Sequence, residues 1–307
     1  MKKMRLPLLV ALGVAIMGVI FGSFFDFQIS SAIASSSNNF ALAISAICPT
    51  IGFATVAAMG GGFIAFIVKG KYHIALKILF GVLALACFGV SIYYPAGEYF
   101  GINGFYGAAP EWVGYLIVII PEGAAAFGGY LLFKDCKNEN MWIVFVIMIV
   151  MLCIALLAII PVIKDNMHRP RYRLISTTDA VGFHNWWEPC TKYNELKDSF
   201  PHDNFKSFPS GHTAETSILL VDITFLPLAN EKFEKYQLPI FLGGCGLVLL
   251  VAFARILAAA HYLSDVSMGA TIMIGLLTII NEIIVHIKPL QLRKEIETVD
   301  AVPFDEK

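Results

Sequence analysis

The stretch 254–265 places Arg255, His261 and Asp265 where one very apolar segment ends and the next begins. Charged groups are costly in or beside lipid, so their presence there calls for a chemical reason. On a helix His261 and Asp265, four residues apart, project from one face. The carboxylate then accepts the imidazole Nδ1–H and leaves Nε2 free as nucleophile or base. Arg255, a short way upstream, can hold an anion near that nitrogen.

Two further clusters follow the same logic. Pro209, Ser210, Gly211 and His212 open the next apolar run upstream. A helix N-terminus capped by serine binds anions through its free N–H groups, and Gly211 lets backbone approach a ligand closely. Lys164 and Arg171 follow the end of an earlier apolar run, with Arg169 and Arg173 interleaved. Three stretches of this kind read as phosphate chemistry.

In this order they resemble the three-part signature of the type 2 phosphatidic acid phosphatase family, which includes lipid phosphate phosphatases, glucose-6-phosphatase and vanadium haloperoxidases. That signature is K-x6-R-P, then P-S-G-H, then S-R-x5-H-x3-D. It matches here at Lys164 and Arg171, at Pro209 to His212, and at Arg255, His261 and Asp265. Tyr172 stands where the family usually has proline, and Ala254 where it usually has serine. The resemblance covers roughly the C-terminal half of the chain. It implies a membrane phosphatase acting on a lipid phosphate or pyrophosphate through a phosphohistidine. Lys164, Arg171, Ser210, Gly211 and Arg255 would bind the phosphate, His261 would attack it, Asp265 would orient His261, and His212 would serve as general acid and base. A lipid hydroxyl in place of water would make the same site a phosphotransferase.

No carboxylate cluster suited to Mg²⁺ accompanies the motifs, so a metal-independent enzyme without a cofactor is expected. Arg169 and Arg173 read as headgroup or structural contacts. His168, His184 and His202 lack ligand spacings and read as loop residues, and Trp186 and Trp187 as an interfacial belt. Glu122 and Asp222 lie inside apolar runs, where an acid is a functional hypothesis. The non-enzymatic alternative, a transporter using those two acids, predicts inverted repeats, and no internal repeat is evident.

Composition sets the elements that must carry these residues. Of 307 residues 57% are hydrophobic and only 15% charged, against ~25% charged in soluble domains. With mean hydropathy +0.71, the class is an all-α polytopic membrane bundle. Runs long enough to span a bilayer lie at Leu6–Phe25, Phe40–Val68, Ile74–Tyr94, Val113–Phe133, Met141–Ile163, Thr213–Leu228, Leu238–Ala254 and Leu263–Ile287, about eight spans. The first looks like a signal peptide with a cleavage site near Ala32–Ala34, but its apolar core is too long for one, and an uncleaved anchor is expected. The natural division is 1–140 as N-terminal helices, 141–290 as phosphatase core with an outer segment at 164–208, and 291–307 as a cytoplasmic tail.

Lys and Arg set the orientation. Lys2, Lys3 and Arg5, Lys69 and Lys71, Lys134 and Lys137, Lys232 and Lys235, and Lys288, Arg293 and Lys294 fall on one side of an eight-span chain. The opposite connections 30–39 and 95–112 contain neither residue. The positive-inside rule then places both termini in the cytoplasm and all three clusters on the outer face of a cell membrane. Membrane lipids are the expected surroundings, and nothing suggests a nucleic-acid site, since the basic residues are split among short loops. The six cysteines show no metal spacing and fall in or beside apolar runs, so neither a disulfide framework nor zinc is expected.

Overall fold

The computed structural model describes residues 2–100 and 111–286. The tail 291–307, with Lys288, Arg293 and Lys294, and most of the 95–112 connection lie outside the described residues. Among the described residues the elements are all helical. They are α1 Arg5–Ile33, α2 Asn39–Lys69, α3 Ile74–Phe100, α4 Glu111–Phe133, α5 Met141–Cys153, α6 Ile160–Met167, the short α7 Tyr172–Ile175 and α8 Tyr193–Leu196, α9 Gly211–Ser217, α10 Leu219–Ala229, α11 Gln237–Leu257 and α12 Leu263–His286. Seven helical stretches are long and apolar enough to cross a membrane, which makes this a membrane protein with a polytopic helical bundle.

The difference from eight spans lies in the sixth run. It is helical from Gly211 to Ala229 but interrupted at Ile218, so it divides into α9 and α10. The fourth run, despite Pro121, is one continuous helix, α4. Its 23 residues reach across a hydrocarbon layer of about 30 Å at 1.5 Å per residue. Between α5 and α6 the fifth run contains a π turn, Ile154–Ile159. An extra residue in the hydrogen-bonded ring rotates everything beyond it, Lys164 included, to a new face.

α1 shows how composition becomes packing. Its buried residues Leu8, Ala15, Val19, Gly22, Asp26 and Ser30 recur at three-, four- and seven-residue steps, one stripe of a helix. That stripe lies along α12, while Leu9, Met17 and Phe24 point outward. α2 is the central helix, packed against α3 and α4 and also against α9, α10 and α11. It begins where the Asn38 side chain caps it by accepting from Ala41 N at 3.0 Å. The N-terminal helices therefore pack directly on those carrying the motifs.

Contacts between loops sort the helix ends. Lys3 pairs with Glu234 and Arg5 with Glu282, each at 2.6 Å, and the Tyr72 hydroxyl donates to Glu139 O at 2.7 Å. The chain start, the loops after α2, α4 and α10, and the last turn of α12 thus share one end. At the other end Ser35 N donates to Leu257 O at 2.7 Å, beside the long segment 168–210.

Two glycines let backbones meet around α9. A Cβ on Gly52 of α2 would overlap Glu215 O, and one on Gly269 of α12 would overlap Ser210 O. Neither contact can be relieved by a side chain moving. Gly52→Val and Gly269→Val should each lower the thermal unfolding midpoint in detergent, by an overpacking cost of about 1–3 kcal/mol. Gly243→Val, where nothing lies within 4 Å, should leave it unchanged.

Candidate active site

α11 delivers Arg255 in its last turn and then stops abruptly. Ala258 caps it, Ala259 adopts a left-handed conformation (φ 55°), and Ala259 N and Ala260 N donate back to Ile256 O and Arg255 O at 3.0 and 3.2 Å. This is a Schellman turn with alanine where glycine is usual. His261 N adds a second bond to Arg255 O at 3.2 Å. The turn therefore folds His261 back over the end of the helix that carries Arg255.

α12 begins only at Leu263, so His261 is not on it, and the expected His261–Asp265 helical pair is corrected. The Asp265 carboxylate is 3.7 Å from His261 Nδ1, too far for a hydrogen bond. The reason is that Asp265 is already saturated. Oδ1 accepts Arg169 Nη1 at 2.5 Å, and Oδ2 accepts Ser207 Oγ at 2.5 Å and Tyr262 N at 2.8 Å. The last bond makes Asp265 the reciprocal cap of its own helix. His261 Nδ1 meets Ser207 O instead, at 2.6 Å. A carbonyl only accepts, so Nδ1 carries the proton and Nε2 holds the lone pair. The outcome expected for Nε2 stands, with a different partner.

The other motif residues converge on the same place. Ser210 caps α9, accepting from Thr213 N at 3.3 Å, and its own N donates to Asp265 O at 2.9 Å. Lys164 Nζ reaches Lys206 O at 3.2 Å and would lie 3.8 Å from a Cβ on Gly211. Arg171 donates to Ala260 O at 3.3 Å and to the Asp203 carboxylate at 2.7 Å. Two backbone bonds, Arg171 N to Asn204 O at 2.8 Å and Ser207 N to Arg169 O at 3.1 Å, hold these loops side by side. Arg255, His212 and His261 are all buried.

Burial pushes the His261 imidazole well below its usual pKa, and the cations Arg171, Arg255 and Lys164 push it further the same way. It is therefore neutral at ordinary pH. Burial alone would raise the Asp203 carboxyl, but Arg171, Arg173, Lys164 and Arg255 outweigh it and hold it below the usual carboxylate range. The site is a cationic pocket around an unprotonated imidazole nitrogen.

Several residues that build it were invisible in the motifs. Arg169 is fully buried between Asp265 and Asp26 of α1, the latter at 2.9 Å. Its guanidinium lies 4.3 Å from the centre of the Tyr262 ring. Asp26 also accepts Ser264 N at 2.9 Å and the Ser264 hydroxyl. Asp203 bridges Arg171 and Arg173. Glu215 is buried one turn after His212. Asp26 falls just past the apolar run Leu6–Phe25, so it does not give the lone-acid signal that singles out Glu122 and Asp222. Glu122 is buried on α4, and its carboxylate oxygens meet no hydrogen-bond partner among the described residues.

The two family departures also find places. Ala254 packs with Ala41, Ala258 and Ala260 against the start of α2, where a hydroxyl would meet methyl groups. Tyr172 packs edge-on to Phe27 and Tyr262. Trp186 is partly buried, donating to Ser23 Oγ at 2.8 Å and stacking on Phe208, while Trp187 is exposed. His168 stacks on Tyr193, and His202 contacts its hydroxyl at 3.0 Å. All six cysteines are free thiols. A cavity of about 530 Å³ opens between α1 and the 175–185 segment. None of the nine motif residues lines it.

Residues 140–287 match the family model described as the PAP2 superfamily. No curated protein and no solved structure matches the chain. The matched region holds all nine motif residues, whereas Asp26 lies outside it.

A left-handed alanine is strained by roughly 1 kcal/mol relative to glycine. Ala259→Gly should therefore raise thermal stability by about that amount, read from the unfolding midpoint in detergent, because it relieves the turn without touching Arg255 or His261.

Proposed function

We propose, from the match of residues 140–287 to the PAP2 superfamily model, that the protein is a membrane phosphatase that hydrolyses a lipid phosphate monoester or pyrophosphate through a phosphohistidine. The observation that carries the reading is the neutral His261, its Nδ1 donating to Ser207 O and Nε2 left as a lone pair among Arg171, Arg255 and Lys164.

The phosphate oxygens lie between Lys164, Arg171 and Arg255, with the N–H groups at the start of α9 adding donors. Nε2 of His261 attacks phosphorus as the bond to the leaving oxygen breaks. Protonated His212 gives that oxygen its proton. Water then attacks the phosphorus, His212 takes back a proton, and the P–N bond breaks to release inorganic phosphate and restore neutral His261. Asp265 holds Ser207, and Ser207 orients His261. The step needs no metal, since the cations already present neutralise the phosphate.

Charge supports an outer-face site. The end of the bundle opposite the motifs carries Lys3 and Arg5, Lys69 and Lys71, Lys134 and Lys137, and Lys232 and Lys235, the pattern of cytoplasmic loops. A phosphate presented on the outer leaflet would then reach His261 without a transport step.

Purified protein should release phosphate from at least one member of a panel of lipid phosphates, in EDTA, with vanadate as inhibitor. His261→Ala should lower turnover by several orders of magnitude and abolish any trapped phosphoenzyme. His212→Ala should still be labelled by an activated aryl phosphate, whose leaving group needs no proton. Equal loss of labelling in the two variants would contradict this division of roles, and a strict Mg²⁺ requirement would contradict the mechanism.

Sidedness has its own check. In a cysteine-free background, Asn194→Cys in the 168–210 segment should react with an impermeant maleimide on intact cells. Glu139→Cys at the opposite end should react only after the membrane is opened. The reverse pattern would put the site on the cytoplasmic side.

A further inference from the structure

Glu215 is an acid beside the pocket to which the proposed mechanism gives no role. Glu215 lies on α9 one turn past His212 and is 6% exposed. The point where a Cβ on Gly211 would sit is 3.4 Å from Glu215 Oε1 and 3.8 Å from Lys164 Nζ. The acid and the ammonium therefore flank the same piece of backbone that faces the phosphate. Its position is fixed from behind, because α2 approaches Glu215 O so closely at Gly52. Asp203, a second acid nearby, bridges Arg171 and Arg173.

A carboxylate is out of place in an anion site unless repulsion serves a purpose. With Lys164, Arg171 and Arg255 all facing one phosphate, the product dianion would be held about as firmly as the transition state. Binding shared equally by transition state and product does not speed turnover. Resting on the phosphate-binding reading above, we propose that Glu215 sets the charge of this pocket: its carboxylate offsets one cation, weakens the hold on inorganic phosphate and speeds product release. Glu215 is then a residue that tunes the phosphate pocket. The charged and titratable groups it acts among are Lys164, Arg171, Arg255, Asp203, His212 and His261.

The test compares the full-length protein with Glu215→Gln and Glu215→Asp in detergent, measuring inhibition constants for inorganic phosphate and vanadate. A unit charge at such a separation in a partly wet pocket changes anion binding by about tenfold. Glu215→Gln should lower both inhibition constants by about that factor, with kcat falling as release slows. Glu215→Asp draws the charge back by one methylene and should lower them in the same direction by about twofold. The two substitutions differ in what they ask of the packing around α9, so a folded sample of either one suffices. Constants that are unchanged or raised, in protein whose wild type is inhibited, overturn the role of Glu215 and leave the phosphate site standing. Wild type that neither anion inhibits overturns the phosphate reading itself, and this proposal with it.

Discussion

Arg169, wholly buried between Asp26 and Asp265, is the contact on which the rest of the site depends. One guanidinium joins the first helix, the loop after α6 and the first turn of α12. Three charges removed from water gain little net stability, because desolvation offsets most of the Coulomb attraction. Losing one partner is a different matter, costing on the order of 3–5 kcal/mol, since it strands a charge in the interior. Such a cluster admits one arrangement of its elements and penalises the others. With Ser264 donating to Asp26 and the Tyr262 ring against the guanidinium, its hydrogen bonds run in a closed network.

The consequence passes outward in steps. Arg169 and the Tyr262 N–H orient the Asp265 carboxylate, which leaves its Oδ2 placed for the Ser207 hydroxyl. Ser207 in turn presents its carbonyl to His261 Nδ1. The aspartate acts on the histidine at one remove. Meanwhile the Schellman turn at 255–260 brings Arg255 and His261 together by backbone bonds alone, so the two motif residues stay adjacent whatever surrounds them.

What could be read from the sequence was what lies close along the chain. Lys164 with Arg171, Ser210 to His212, and Arg255 with His261 are short-range spacings, and the structure brings all of them to one pocket. The spans were legible for the same reason, as apolar runs of sufficient length, and α4 continues through Pro121 as a run of that length should. Three things were not legible. Asp26 reaches Arg169 and Ser264 across 143 and 238 residues, and no local pattern records such a meeting. The helical spacing of His261 and Asp265 was applied across a boundary, since α12 starts at Leu263. The break at Ile218 has no proline or glycine to announce it, and nothing in the structure explains it beyond the packing of α2, α11 and α12 on α9.

The choice of a carbonyl over a carboxylate as the partner of His261 bears on the chemistry. A carboxylate on Nδ1 would stabilise the imidazolium and raise its pKa, making the ring a stronger base. A carbonyl orients the ring without that bias, and burial, joined by the surrounding cations, then depresses its proton affinity. In the proposed cycle this serves both halves. In the first, a neutral imidazole needs no base to expose its lone pair, and the cations that keep it neutral also draw the phosphate toward it. In the second, the imidazole must leave phosphorus, and a ring of low proton affinity is the better leaving group. The same arrangement disfavours His261 as a proton carrier, so proton transfer to the leaving oxygen falls to another group. In that proposed cycle His212, at the start of α9, carries the proton. In the proposed cycle the nucleophile is thus the histidine held by a backbone carbonyl that is tied, through Ser207 and Asp265, to the buried arginine.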